Sequence, residues 1–239
     1  MKNLILPAAL LALTAGGALA QTVRLGTEGA YPPYNFINDK GEIDGFERAL
    51  GDELCKRASL TCEWVKNDWD SIIPNLVSGN YDVIIAGMSI TDERDKVIDF
   101  TQDYYPPTAS VFVAKTADAN TKGVVSAQTA TIQAGYVAES GAQLLEFATP
   151  EETVAAVRNG EADAVFADFD YLKPIVDAAG GELVIAGEPV PLGKGVGMGF
   201  RESDKPLRDK FDAAITAMKA DGSLNALLKT WFGDATKTY

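Results

Sequence analysis

Between residues 86 and 94 the chain reads Ala86-Gly87-Met88-Ser89-Ile90-Thr91-Asp92-Glu93-Arg94. The run follows Asp82-Val83-Ile84-Ile85-Ala86, which has the apolar continuity of a buried strand. Small residues at a strand end leave backbone groups accessible and Ser89 adds a hydroxyl. The Arg94 guanidinium, placed to open a helix, has a planar fork that matches a carboxylate. The chemistry on offer is capture of a carboxylate. The chain contains no histidine, which removes the commonest general base and the Ser-His and Cys-His nucleophile pairs.

A second stretch repeats the first in character. Gly160-Glu161-Ala162-Asp163-Ala164-Val165-Phe166-Ala167-Asp168 runs in step with Gly79-Asn80-Tyr81-Asp82-Val83-Ile84-Ile85-Ala86-Gly87. Gly160 matches Gly79, Asp163 matches Asp82 and Asp168 matches Gly87. A helix precedes each. Thr149-Pro150-Glu151-Glu152 is a capping box with proline at the first helical position, opening a helix through Val154 and Val157. In the earlier unit Asn67 or Asp68 caps a helix from near Trp69, with Ile72, Ile73, Leu76 and Val77 facing the core and Pro74 in its first turns. The expected architecture is α/β, two related lobes in which a helix leads into a parallel strand and ligand groups sit at the strand ends.

The remaining elements position these ends. Thr22 to Thr27 alternates as a first strand and delivers the loop Glu28-Gly29-Ala30-Tyr31-Pro32-Pro33-Tyr34, a candidate site by its position after a strand. After the turn residues Asp39-Lys40-Gly41, the spacing of Phe46, Ala49, Leu50 and Leu54 predicts a helix that carries Cys55. A strand over residues 60–65 carries Cys62. Residues 110–114 and 195–200 read as further strands, and 204–219 and 223–231 as two helices returning to the first lobe. Pro106-Pro107 marks a crossing between lobes, and the two crossings form a hinge.

Composition bounds the function class. The chain has 239 residues, 46% of them hydrophobic, and a net charge of −13, an ordinary folded protein with no attraction for nucleic acid. Met1–Ala20 carries Lys2, an apolar run over residues 4–13 and the small-residue pattern Ala18-Leu19-Ala20. It is read as a secretory signal peptide cleaved after Ala20, since the run is too short for a span. No later stretch is long and apolar enough to cross a bilayer. Cys55 and Cys62, close together in an exported chain, are expected to form one disulfide. They make a poor metal site, and no metal or cofactor is expected.

From Val23 to Phe232 the chain resembles the periplasmic solute-binding proteins of ABC importers for polar amino acids, family 3, in particular the arginine, lysine-arginine-ornithine and histidine binders. The residues that carry the likeness are 26–34, Gly45-Phe46-Glu47, 53–57 with Cys62, Ile72-Ile73-Pro74-Asn75-Leu76, Ser89-Ile90-Thr91-Asp92-Glu93-Arg94, 162–168 and Lys219-Ala220-Asp221-Gly222. The ordered set is more specific than any one of them.

The resemblance implies a type II periplasmic binding protein, two α/β lobes joined by a two-strand hinge with the ligand in the cleft. Lobe 1 would comprise residues 21–107 with 195–239, and lobe 2 residues 108–194. Arg94 would clamp the ligand α-carboxylate with Ser89, Ala86 and the Gly87 backbone, and Asp168 would take the α-ammonium. A zwitterion offers one charge of each sign, and the two matched strand ends carry one partner each. Tyr31 and Trp69 match positions that sandwich the ligand side chain, and Glu28 an acidic position at its far end. Two aromatic faces with a carboxylate suit a cationic side chain. Ala86 stands where several basic-amino-acid binders have serine. The loop Ala127-Gln128-Thr129-Ala130-Thr131-Ile132-Gln133 lacks the usual glycine before its threonine pair, leaving Thr131 as the carried-over contact and Gln133 as a further polar candidate.

The expectation is a monomeric, periplasmic, non-catalytic binder of a basic amino acid that closes on its ligand and delivers it to a membrane permease. A binder of a neutral polar amino acid such as glutamine and an exported dehydratase-like enzyme on the same scaffold are the alternatives. A receptor's sensing domain is disfavoured by the absence of a span or signalling module after Trp231-Phe232.

Overall fold

The computed structural model describes residues 22–239; the expected signal peptide and its cleavage site lie outside the described residues. In chain order the elements are β1 (Val23–Thr27), β2 (Ala30–Tyr31), β3 (Asn35–Ile37), β4 (Ile43–Asp44), α1 (Phe46–Arg57), β5 (Cys62–Lys66), α2 (Ile72–Val77), β6 (Val83–Ile84), β7 (Asp99–Phe100), β8 (Ala109–Ala114) and β9 (Val124–Gln128). There follow α3 (Ile132–Glu139), β10 (Gln143–Phe147), α4 (Pro150–Asn159), β11 (Ala164–Asp168), α5 (Phe169–Ala178), β12 (Val184–Pro191), β13 (Gly199–Phe200), α6 (Lys205–Ala220) and α7 (Ser223–Phe232).

These build two α/β lobes, each around a five-stranded sheet. The first has the order β5-β1-β6-β13-β7 and the second β10-β9-β11-β8-β12. In each, three parallel strands are followed by an antiparallel one: β1 pairs parallel with β5 and β6, β9 with β10 and β11, while β13 and β8 run the other way. The chain passes between the sheets through residues 101–108 and 192–198.

The repeat read from the sequence corresponds to equivalent structure. Gly79 and Gly160 both take left-handed φ, 80° and 79°, just past α2 and α4, the conformation in which glycine ends a helix without a Cβ penalty. The paired aspartates then do the same work. Asp82 accepts the Arg24 N–H at 3.0 Å and Asp163 accepts the Val124 N–H at 2.8 Å. Each carboxylate thus closes the start of the central parallel strand beside it. The Thr149 capping box forms, with Thr149 accepting from the Glu152 N–H and Glu152 reaching back to the Thr149 N–H.

The core of the first lobe forms where Phe46, Leu50 and Leu54 of α1 meet Phe211 and Ile215 of α6 and Leu224 and Leu228 of α7, all fully buried. Arg57 bonds Asp221 at 2.7 Å and Ser223 at 3.1 Å, so the last two helices do return to this lobe. Cys55 and Cys62 are disulfide-bonded, tying the end of α1 to β5.

Three expectations are corrected. Val77 is half exposed, because α2 is only six residues and turns Ile72 and Leu76 inward, leaving the next position on the outer face. Neither Asn67 nor Asp68 caps through its side chain; a 3-10 turn, Trp69–Ser71, leads into α2 instead. The segment read as a strand from 195 pairs as a strand only at Gly199–Phe200, with Val196 making single bridges to Ser89 and Tyr105.

Candidate functional site

Parallel strands bring their C-terminal ends to one edge of a sheet, and in an open α/β sheet that edge is where ligands bind. Here the edges of both lobes face each other. Glu28 follows β1, Ala86, Gly87 and Ser89 follow β6, Gln128 ends β9 and Asp168 ends β11. Between them lies a partly open cavity with about 330 Å³ of empty space, a concave site with a few convergent polar groups of the kind that takes a small molecule.

All nine residues proposed from the sequence line this cavity. Glu28, Tyr31, Trp69, Ala86, Gly87, Ser89 and Arg94 reach it from the first lobe, and Thr131 and Asp168 from the second. Gln128, Ile132 and Gln133 complete the wall on the second side.

Arg94 is held by both lobes. Its guanidinium donates to the Ser89 carbonyl at 2.9 Å and, across the cleft, to the Ala130 carbonyl at 3.3 Å, and it lies 5.4 Å above the Trp69 ring. Burial lowers its pKa to about 10, with the Asp168 charge opposing the change, so it stays a cation at neutral pH. Asp168 accepts from the Tyr31 hydroxyl at 2.7 Å and from Gln133 Nε2 at 2.9 Å. Burial raises its pKa to about 6, against the pull of the Tyr31 hydrogen bond and of Arg94. Among the described residues neither Arg94 nor Asp168 has an ion-pair partner. A cation and an anion on opposite walls, each without a counter-ion, complement a molecule carrying both charges.

The far end holds a second carboxylate. Glu28 is buried, its pKa pushed up to about 7 by desolvation and partly restored by a hydrogen bond from Gln128. Gln128 Nε2 makes that bond at 2.6 Å, again across the cleft. Of the aromatic pair, Trp69 already carries Arg94 on one face. One face of Tyr31 is covered by Tyr171 of the second lobe, stacked at 4.4 Å. The Thr131 hydroxyl donates to the Gln128 carbonyl at 2.6 Å and caps α3 by accepting the Ala134 N–H. It therefore faces the cavity as an acceptor.

Sequence reasoning missed the residue beneath the first wall. Glu47, in the first turn of α1, is fully buried and accepts from the Gly87 N–H at 2.6 Å, from Asn35 Nδ2 at 2.7 Å and from the Tyr104 hydroxyl. Asn35 in turn accepts the Gly29 N–H at 2.7 Å, so one carboxylate steadies both loops that line the cavity on this side. Gly87 sits at φ 63°, the left-handed turn that aims its N–H back at Glu47. Its sequence signals were an acidic residue in a first helical turn, which ordinarily faces solvent, and a place in the Gly45-Phe46-Glu47 stretch, neither of which assigned it a role. Desolvation raises the Glu47 pKa, against its three donors. Glu47→Gln sets an amide N–H₂ against those donors. It is expected to reduce stability by about 2 kcal/mol, seen as a fall of roughly 4–8 °C in thermal midpoint; an unchanged midpoint removes Glu47 from this role.

A family model described as bacterial extracellular solute-binding proteins, family 3, matches residues 23–234. The chain is similar to the ABC transporter arginine-binding protein 1 of Escherichia coli K12, 31% identical over 97% of this chain and 99% of that protein. The lysine/arginine/ornithine-binding periplasmic protein of the same strain is 31% identical over 97% of each chain. Among solved structures, a periplasmic His/Glu/Gln/Arg/opine family-binding protein from Silicibacter pomeroyi in complex with lysine is 77% identical with a TM-score of 0.91, covering 91% of this chain and all of that one.

Proposed function

We propose, from the premise that the chain belongs to the bacterial extracellular solute-binding proteins of family 3, that it captures a free basic amino acid in the periplasm by closing its lobes. It then hands the ligand to the membrane permease of an ABC importer. The observation that carries the reading is the cavity itself. Arg94 and Asp168 stand on opposite walls for the α-carboxylate and α-ammonium, and a third charge, Glu28, waits where a side chain would end. The lobes are residues 21–107 with 195–239, and 108–194. The α-carboxylate bonds the first lobe and the α-ammonium the second, so the ligand favours the closed form by its differential contacts. The named relatives, binders of arginine, lysine and ornithine, and the lysine complex support a cationic side chain. No group in the cavity is given a catalytic role, and the protein acts as a binder, not an enzyme. Among the described residues no helix is long and apolar enough to cross a membrane.

The test is calorimetry against lysine, ornithine, arginine, histidine and glutamine. At least one basic amino acid should bind far more tightly than glutamine; a preference for glutamine would overturn the basic assignment. The pH profile follows from Glu28, which attracts a cation only when deprotonated and whose pKa burial pushes up to about 7. Affinity should therefore be full above pH 8 and fall about tenfold per pH unit below 7, more steeply once Asp168 also protonates near 6. Glu28→Gln should weaken basic ligands about 100-fold, spare glutamine and remove the break at 7. Equal losses for arginine and glutamine would deny Glu28 this role.

A further inference from the structure

We propose that Gln128, reaching across from the second lobe, is a specificity-determining residue that makes the far end of the cavity favour a terminal ammonium over a terminal guanidinium. The inference rests on the basic-amino-acid reading above and narrows it to lysine or ornithine.

The orientation of the Gln128 amide follows from its neighbours. Nε2 lies 2.6 Å from Glu28 Oε1 and 3.0 Å from the Ala148 carbonyl oxygen. Both are acceptors, so the nitrogen must be on that side, and both its N–H groups are in use. What the side chain can still offer the cavity is its carbonyl oxygen. Gln128 is also fixed from behind: it ends β9, and its backbone carbonyl accepts the Thr131 hydroxyl at 2.6 Å. Both Gln128 and Glu28 are buried, so swinging the amide away would leave a carboxylate without its donor.

A guanidinium binds a carboxylate best through two parallel N–H bonds to its two oxygens. Here one oxygen of Glu28 already holds the Gln128 amide, which stands where the second prong of the fork would go. An ammonium is a point charge with three separately directed donors. It needs only the second Glu28 oxygen, with the Gln128 carbonyl as a further acceptor.

The experiment is calorimetry at pH 8, where Glu28 is ionised, on the wild type, Gln128→Ala and Gln128→Met. The wild type should bind lysine or ornithine more tightly than arginine. Gln128→Ala should shift the lysine-to-arginine affinity ratio about tenfold toward arginine. Gln128→Met keeps the bulk but frees the Glu28 oxygen, and should shift the ratio the same way by less; it also serves if the alanine variant fails to fold. A ratio unchanged within twofold in a folded variant, or a wild type that prefers arginine, overturns this inference alone. A wild type that binds no basic amino acid overturns the parent reading with it.

Discussion

Arg94→Ala removes binding of every α-amino acid, by about 1,000-fold or more, while the lobes stay folded. Among the described residues the guanidinium is the one cation lining the cavity, and a ligand α-carboxylate brought there without it would be a buried charge lacking a cationic partner. Losing one member of a buried, hydrogen-bonded charge pair costs roughly 2–5 kcal/mol, and about 4 kcal/mol corresponds to that loss. The folded state has less to lose, since among the described residues the Arg94 guanidinium donates only to the Ser89 and Ala130 carbonyls and sits over Trp69. Because the α-carboxylate is common to all amino acids, calorimetry should find the loss equal for lysine, arginine and glutamine. A variant that kept its affinity for any of them would remove Arg94 from the site.

Asp168→Asn should lower affinity by about 100- to 1,000-fold, with a thermal midpoint in the ligand-free protein that is unchanged or higher. The two effects have opposite origins. Burial raises the Asp168 pKa to about 6, so keeping the group ionised at neutral pH opposes folding, and a neutral amide removes that penalty. The amide must turn one N–H₂ toward either the Tyr31 hydroxyl or Gln133, both of which now donate to the carboxylate, which offsets part of the gain. Binding has no such compensation, because the ligand α-ammonium loses its only anionic partner on that wall. If midpoint and affinity fell together, Asp168 would be a structural residue rather than a ligand contact.

The positions of Asp168 and Glu28 were legible because each lies at a strand end, which apolar runs of strand length announce, whereas Arg94, ten residues past β6, was found through its place in the stretch that resembles the family. The matched aspartates Asp82 and Asp163 were legible for a similar reason: the same local job, closing the start of a neighbouring strand, recurs at the same offset. Length of the strands was less so. The run from Asp82 to Ala86 pairs only at Val83–Ile84, since the chain must leave the sheet early to make the left-handed turn at Gly87. Val77 was misplaced because apolar spacing cannot tell a helix of six residues from a longer one. Glu47, Gln128 and Tyr171 escaped assignment for another reason. Their partners lie 40, 100 and 140 residues away in sequence, and contacts of that range depend on how loops and lobes meet, which no local pattern encodes.

The bonds from Tyr31 to Asp168, from Gln128 to Glu28 and from Arg94 to Ala130 join the two lobes directly. Direct lobe-to-lobe bonds favour the closed arrangement over the open one by their own free energy, in addition to whatever a ligand contributes. These three contacts therefore help set the open-to-closed equilibrium of the protein itself, a property separate from the strength of its contacts to a ligand. Small-angle scattering of the protein without added amino acid should reveal a compact fraction that Tyr31→Phe diminishes; a wholly extended ensemble would mean that these contacts form only with a ligand in place.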